Sequence, residues 1–266
     1  MIFDAHLHLV HSKLPDFNRL PDFNRLLDSD SSLNFRRDEP YWAITCALSR
    51  EEFSLQEKII SAVPKDSPLH YLKSFGIHPQ NPDFSQTEFL LELLRQNKID
   101  AIGECGFDFY TEEFSSQRQQ QEEVWKIQLE AAEKYEKPLI IHGRKCTQLF
   151  FRDIKALKKL PAVVFHSWAG TLTEAKSLLN RGVNAWFSFG KPLINGKKSA
   201  VECVKNLPED RLVFETDAPY QTLKNEEKTQ PEDIIKVYKQ AQKIRGKPLR
   251  PDLTPLFKNQ PDMYNL

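Results

Sequence analysis

The sequence predicts an α/β fold, a (β/α)8 barrel of the TIM type in one domain spanning residues 1–266. Three observations carry this. Eight short runs are apolar and rich in β-branched or aromatic residues. Amphipathic helical patterns alternate with them, as the crossovers between parallel strands require. The length, 266 residues, suits a single barrel, and eight runs favour closure over an open doubly wound sheet.

The first run, 2–6, leads straight into a second histidine at 8. The stretch 10–40 is polar and broken by prolines, and contains a tandem hexapeptide, Leu-Pro-Asp-Phe-Asn-Arg at 14–19 and again at 20–25. Two copies of six are too few for a solenoid, so this reads as a duplication in a surface loop. Strand 42–48 precedes a helix at 51–62 with Phe53, Ile59 and Ile60 on one side. Strand 71–77 precedes a helix at 84–96 carrying Phe89, Leu90, Leu93 and Leu94. Strand 101–104 is followed by a long charged helix, 115–134. Strand 139–142 leads to a helix at 147–160. Strand 163–166 leads to a helix at 171–180 that stops before Gly182, a helix-ending residue type. Strand 185–189 precedes a helix at 199–207, and strand 212–216 precedes one at 231–244.

Lys and Arg number 37, as do Asp and Glu, so the formal net charge is zero. No global basic field would attract nucleic acid, and such a partner needs a local patch or a metal. The four cysteines form no CxxC and sit in or beside apolar segments, where they read as small buried hydrophobes. No stretch approaches the ~20 apolar residues of a membrane helix. With no signal-like amino terminus, a cytoplasmic protein without membrane contact is expected, working as a monomer.

In a parallel barrel, catalytic groups stand at the carboxyl ends of strands. Those ends carry His6 and His8, Glu104, His142, His166 and Asp217. The first two, at i and i+2, point the same way on a strand. All six are metal-ligand types, and left without partners in a barrel interior each would be costly. Four imidazoles and two carboxylates suffice for two divalent ions. Glu104 is the natural bridge, and Asp217 is suited to hold one ion and to orient or deprotonate a water.

The runs DAHLH (4–8), GIHP (76–79), GECGFD (103–108), IIHGR (140–144), VFHSWAG (164–170) and ETDAPY (215–220) resemble, in order, the signatures of the TatD family of metal-dependent deoxyribonucleases, among the amidohydrolase-like barrels. The resemblance covers residues 1 to about 220. It implies a (β/α)8 fold, phosphodiester hydrolysis by a metal-activated water, and one or two divalent ions, with Mg²⁺ commonly used. Histidine-rich ligation itself suits Zn²⁺ or Mn²⁺. Carried over by position, His6, His8, Glu104 and Asp217 would hold the first ion; Glu104, His142 and His166 would hold the second. Four departures stand out. The first βα connection is unlike the usual family helix and carries the hexapeptide duplication, Gln80 occupies a place where histidine is common, no Arg-Asn-x-Pro run follows Tyr220, and the carboxyl-terminal segment around 253–257 lacks the usual motif.

Other residues have two readings each. His78 is a substrate contact or a loop histidine; His11 and His70 read as surface or structural. Arg144 binds a phosphate or pairs with Asp108 or Glu215. Glu215 shares a face with Asp217 and orients a ligand or forms an interior ion pair. Lys191, Lys197 and Lys198 form a phosphate patch or a solvated run. Trp168 and Tyr220 stack bases of single-stranded DNA or exclude water. Three functional classes follow: a nuclease acting on DNA; a hydrolase of a small phosphoester, lactone or amide; and a metal-binding scaffold without catalysis, against which the complete ligand set argues.

Overall fold

Along the strands, apolar side chains divide between two faces, and each face has its own core. The computed structural model describes residues 1–12, 40–249 and 256. The hexapeptide repeat and most of the carboxyl-terminal segment lie outside these residues. The strands are β1 (Ile2–Leu7), β2 (Tyr41–Ala47), β3 (Leu69–Phe75), β4 (Ala101–Asp108), β5 (Leu139–Arg144), β6 (Val163–Phe165), β7 (Ala185–Phe189) and β8 (Leu212–Phe214). They lie side by side in chain order and every neighbouring pair from β1 to β8 is parallel. Phe3, Ala5, Trp42, Ile44, Ile140, Val164, Trp186 and Val213 pack together inside the ring. Their neighbours in sequence, such as Ile2, Ala43, Leu139, Ile141, Val163, Phe165 and Phe187, join the larger core beneath the helices. This alternation is the period of two expected of strands buried on both faces.

The seam between β8 and β1 is closed by other means. Asp217 N–H donates to His6 O (2.9 Å) and His8 N–H donates to Ala218 O (2.8 Å). Buried Asp4 accepts from Thr216 N–H (2.9 Å) and from its hydroxyl (2.6 Å). The two ends of the sheet are thereby joined beside the predicted site.

The helices among the described residues are α1 (Arg50–Ser61), α2 (Thr87–Arg95), α3 (Glu112–Ser116), α4 (Arg118–Lys134), α5 (Thr147–Arg152), α6 (Ile154–Leu157), α7 (Leu172–Asn180), α8 (Lys198–Asn206) and α9 (Ile234–Arg245). Their starts follow local chemistry. Ser49 caps α1 through Glu52 N–H, and Thr171 and Glu174 form a reciprocal capping box on α7. The helix expected over 115–134 is interrupted at Gln117, where Thr111 has already capped a separate short helix. The one expected over 147–160 breaks at Asp153, whose carboxylate is taken by Trp125 Nε1–H and Arg152.

Two strands break the alternation. β1 spends three residues, Asp4 to Leu7, where β2 spends two. β4 does the same between Ile102 and Cys105 against β5. An extra residue of this kind re-aims the side chains that follow it. After the first shift Leu7 faces the outer core and His6 and His8 turn inward; after the second Cys105 and Phe107 face outward, and Glu104 and Asp108 turn inward. Gly106 makes the close strand contact possible, since a Cβ there would stand 2.2 Å from His142 O.

Candidate metal centre

The carboxyl ends of β1, β4, β5, β6 and β8 converge on one point. His6 and His8 present their Nε2 atoms to each other at 3.2 Å. Glu104 Oε2 lies 3.3 Å from His6 Nε2 and 3.5 Å from His8 Nε2. Asp217 Oδ1 lies 3.6 Å from each. The other oxygen of Glu104 faces a second group: Oε1 lies 2.6 Å from His142 Nδ1, and 3.4 Å from both His166 Nε2 and His78 Nε2. One buried carboxylate thus divides its two oxygens between two sets of imidazoles. A cavity of ≈ 420 Å³ opens onto it, walled by His78, Arg144, Ser167, Tyr220 and Gln221 among others.

The arrangement fits divalent cations. Three groups of ligand atoms, His6–His8–Asp217, His6–Glu104–His166 and His78–Glu104–His142, each lie within 4.8 Å of one another. The 3.2–3.6 Å spacings around His6 and His8 are those of neighbouring ligands on an ion with bonds of about 2.0–2.2 Å. Nε2 atoms facing each other in a buried site need a shared cation or proton to be tolerated. All six predicted ligands are brought together. The geometry also draws in His78, which the sequence left between a substrate contact and a loop residue. Its Nδ1 accepts from Gln80 N–H (3.2 Å), which leaves the proton on Nε2, facing Glu104.

Carboxylates stand behind two of the rings. His142 Nε2 meets Asp108 Oδ2 at 3.0 Å, and His166 Nδ1 meets Glu215 Oε2 at 3.0 Å. Glu215 is paired with a site histidine, a contact that both the ligand-orienting and the interior ion-pair readings call for. Asp108 was read from sequence only as an ion-pair partner; its Oδ2 also accepts from Gln80 Nε2 (2.7 Å) and lies 3.3 Å from Arg144 Nη1. Gln80, the departure in the GIHP run, thus holds a carboxylate behind the centre.

Charge follows from these contacts in the metal-free protein. Burial alone would lower the His166 pKa, but Glu215, Glu104 and Asp217 overrule it and raise it to about 10. Burial also opposes the charge on His142, yet hydrogen bonds to Asp108 and Glu104 raise its pKa. Burial raises the Glu104 pKa, and the surrounding histidines, His78 and His166 first, bring it well below the carboxylate range. His6 and His78 are pushed down, chiefly by burial.

Two sequence readings need correction. Trp168 does not reach the cavity as a stacking platform: it is 5% exposed and packs on Phe165 and Phe187, with ring centroids 5.3 and 5.0 Å away. An indole is buried here because it fills the outer core more favourably than it covers the mouth. Lys191 is not part of a phosphate patch; it is fully buried and paired with Glu226 and, at 2.7 Å, Asp233. A buried ammonium is retained only with such partners. Of the second ion's expected set, His142 and His166 both face Glu104 Oε1, and His166 also lies near His6 and His142 near His78. Tyr220, 48% exposed, does stand at the mouth, 5.1 Å from the His8 ring, and Arg144 lines the wall with its guanidinium 3.9 Å over the Tyr110 ring.

A family model described as TatD related DNase matches residues 3–259. This chain belongs to the TatD family. Among curated proteins, the 3'-5' ssDNA/RNA exonuclease TatD of Citrobacter koseri is 32% identical over 153 residues, 54% of this chain and 56% of that protein. An uncharacterized metal-dependent hydrolase, YabD of Bacillus subtilis, is 30% identical over 158 residues, 56% of this chain and 59% of its own length. The matched part thus spans little more than half of these relatives. The crystal structure of YJJV, a TatD homologue from Escherichia coli K12, superposes with a TM-score of 0.74 at 22% identity, covering 97% of this chain and 98% of that one. The TatD barrel is therefore common to both. No helix among the described residues is long and apolar enough to cross a membrane.

Proposed function

We propose that this chain is a divalent-metal-dependent nuclease that hydrolyses phosphodiester bonds of DNA, with single-stranded ends the favoured substrate. The observation that carries the reading is the division of Glu104 between two imidazole sets at the floor of an open cavity. His6, His8, Asp217 and Glu104 would hold one ion; Glu104, His142 and His166 offer the donors for a second, with the His78 Nε2–H turned to Glu104. Bound ions supply an acidified water and neutralise charge on phosphate oxygens. The family match and the names of its relatives, a ssDNA/RNA exonuclease and a metal-dependent hydrolase, support the class of reaction.

The chain's own residues set the rest. Asp217 borders the cavity and is placed to take the proton of the attacking water as its oxygen bonds to phosphorus. The P–O bond to the departing sugar then breaks and that oxygen takes up a proton. Arg144 and Lys197 line the cavity walls and offer N–H donors to the phosphate. Tyr220 offers an exposed ring for the adjoining base. The mixed imidazole–carboxylate donors favour Mn²⁺ or Zn²⁺, with Mg²⁺ the alternative.

The test is direct. Purified protein is incubated with Mg²⁺, Mn²⁺ or Zn²⁺ and labelled single- or double-stranded DNA, beside Glu104→Ala. Cleavage by the wild type and none by the variant is expected. Cleavage that survives the substitution, or turnover of small phosphoesters or lactones without any of DNA, overturns the nuclease reading.

A further inference from the structure

We propose that Gln221 is a positioning residue of the metal centre: its carboxamide fastens Asp217 so that a single oxygen, Oδ1, is offered to the ion held by His6 and His8. The inference rests on the metal-dependent reading above. Gln221 directly follows the ETDAPY run and stood outside every motif that the sequence singled out.

Its Nε2 lies 2.9 Å from Asp217 Oδ2, 3.0 Å from Ser167 Oγ and 3.3 Å from Glu215 Oε1. All three are acceptors, and an amide nitrogen has two hydrogens to give them. The opposite orientation would set a carbonyl oxygen against two carboxylates, so these neighbours fix which end is nitrogen. The contacts join three functional segments. Ser167 follows His166, Glu215 backs His166, and Asp217 faces His6 and His8. One neutral side chain therefore ties the ends of β6 and β8 without adding a positive charge that would repel a cation.

The consequence for Asp217 is geometric. Oδ2 is engaged by the amide, while Oδ1 stands 3.6 Å from both His6 Nε2 and His8 Nε2. A carboxylate held by one oxygen is a one-oxygen ligand with a fixed rotamer. The far end of the amide is held by shape. Gln221 Oε1 is buried with no hydrogen-bond partner among the described residues, and a Cβ at Gly190 would stand 2.6 Å from it. Glycine at 190 leaves the room in which the amide lies. The backbone of Gln221 is itself in the left-handed region, with φ 52°, so its placement comes from the surrounding contacts and not from local preference.

Calorimetric titration of the metal-stripped protein with Mn²⁺ tests this. Wild type is expected to bind Mn²⁺, and no binding at all overturns the metal-dependent reading itself. With binding established, Gln221→Leu, which keeps bulk and removes the donor, is expected to weaken the ion held by His6 and His8 about ten-fold or more. The ion on the Glu104 Oε1 side, identified by its loss in His142→Ala, is expected to keep its affinity within two-fold. Gln221→Asn, one methylene too short to reach Asp217, is expected to behave as the leucine variant and serves if that variant does not fold. Unchanged affinity in both variants, or equal weakening at both ions, overturns the proposal in favour of a merely structural side chain. Oligonucleotide turnover gives an independent readout, with kcat expected to fall while KM stays near the wild-type value.

Discussion

The two sides of Glu104 are built differently. On the Oε1 side the imidazoles of His142 and His166 each lean on a second carboxylate, Asp108 or Glu215. On the Oε2 side His6 and His8 present Nε2 to the centre, and their Nδ1 atoms have no partner among the described residues. The rings of the first side are oriented and charged by acids behind them; those of the second are held by backbone, in a bulged strand stitched to the end of β8. The contrast teaches how one carboxylate can serve two ions of unequal character. On one side a cation would displace protons; on the other it would sit between two facing nitrogens.

Removing the shared element has the largest expected effect. Glu104→Gln keeps the shape and abolishes the charge common to both sides, so turnover should fall by about 10³-fold or more. Calorimetry should record loss of both binding events; loss of one alone would mean that Glu104 does not bridge. Next comes Asp108→Asn, which should weaken the Oε1 ion by about 10–100-fold and leave the other unchanged. Equal weakening of both would erase the distinction between the sides.

Acidity sharpens the same contrast. In the metal-free protein the folded pKa of His166 stands at about 10, above its ordinary 6.5. Its proton stabilises the fold fully below the ordinary value, and that contribution is lost as pH rises towards the folded one. An ion on the Oε1 side competes with this proton, so its affinity should climb with pH over the same window. The pKa of His6 is lowered, and the Oε2 side should change little there. Mn²⁺ titrations across this range, in buffers of different ionisation enthalpy, would count the protons released; parallel curves for the two ions would contradict the assignment. Smallest is Tyr220→Ala. Loss of one stacking ring should raise KM for single-stranded oligonucleotides about ten-fold with little change in kcat, and an unchanged KM would remove Tyr220 from the binding path.

The sequence announces the eight strands because each is a run of buried apolar residues between helical periods, and every observed strand overlaps the expected one. It also announces the histidines and acids that the fold gathers. It hides what depends on phase. The extra residues in β1 and β4 leave composition untouched, yet they decide which side chains turn inward. The strand expected over 101–104 runs on to Asp108, so the sequence leaves Asp108, four residues past Glu104, outside the centre. Lys191 looked like a solvated lysine beside a proline because its counterions, Glu226 and Asp233, come from a distant loop. Gln221 carried no signal of its own, since a neutral amide becomes informative only when its three acceptors are in place.

The stitching of β1 to the segment after β8 has a bearing on biosynthesis. Asp4 and Thr216 are 212 positions apart, so the first strand leaves the ribosome long before the residues that complete its seam. Glu104, His142 and His166 emerge in the middle of the chain, ahead of Asp217, where a cation would meet them early. The His6–His8–Asp217 pocket has no such intermediate: it exists only once the last strand has arrived and the ring has shut. An ion held there would therefore report that β8 has emerged and that the ring has closed.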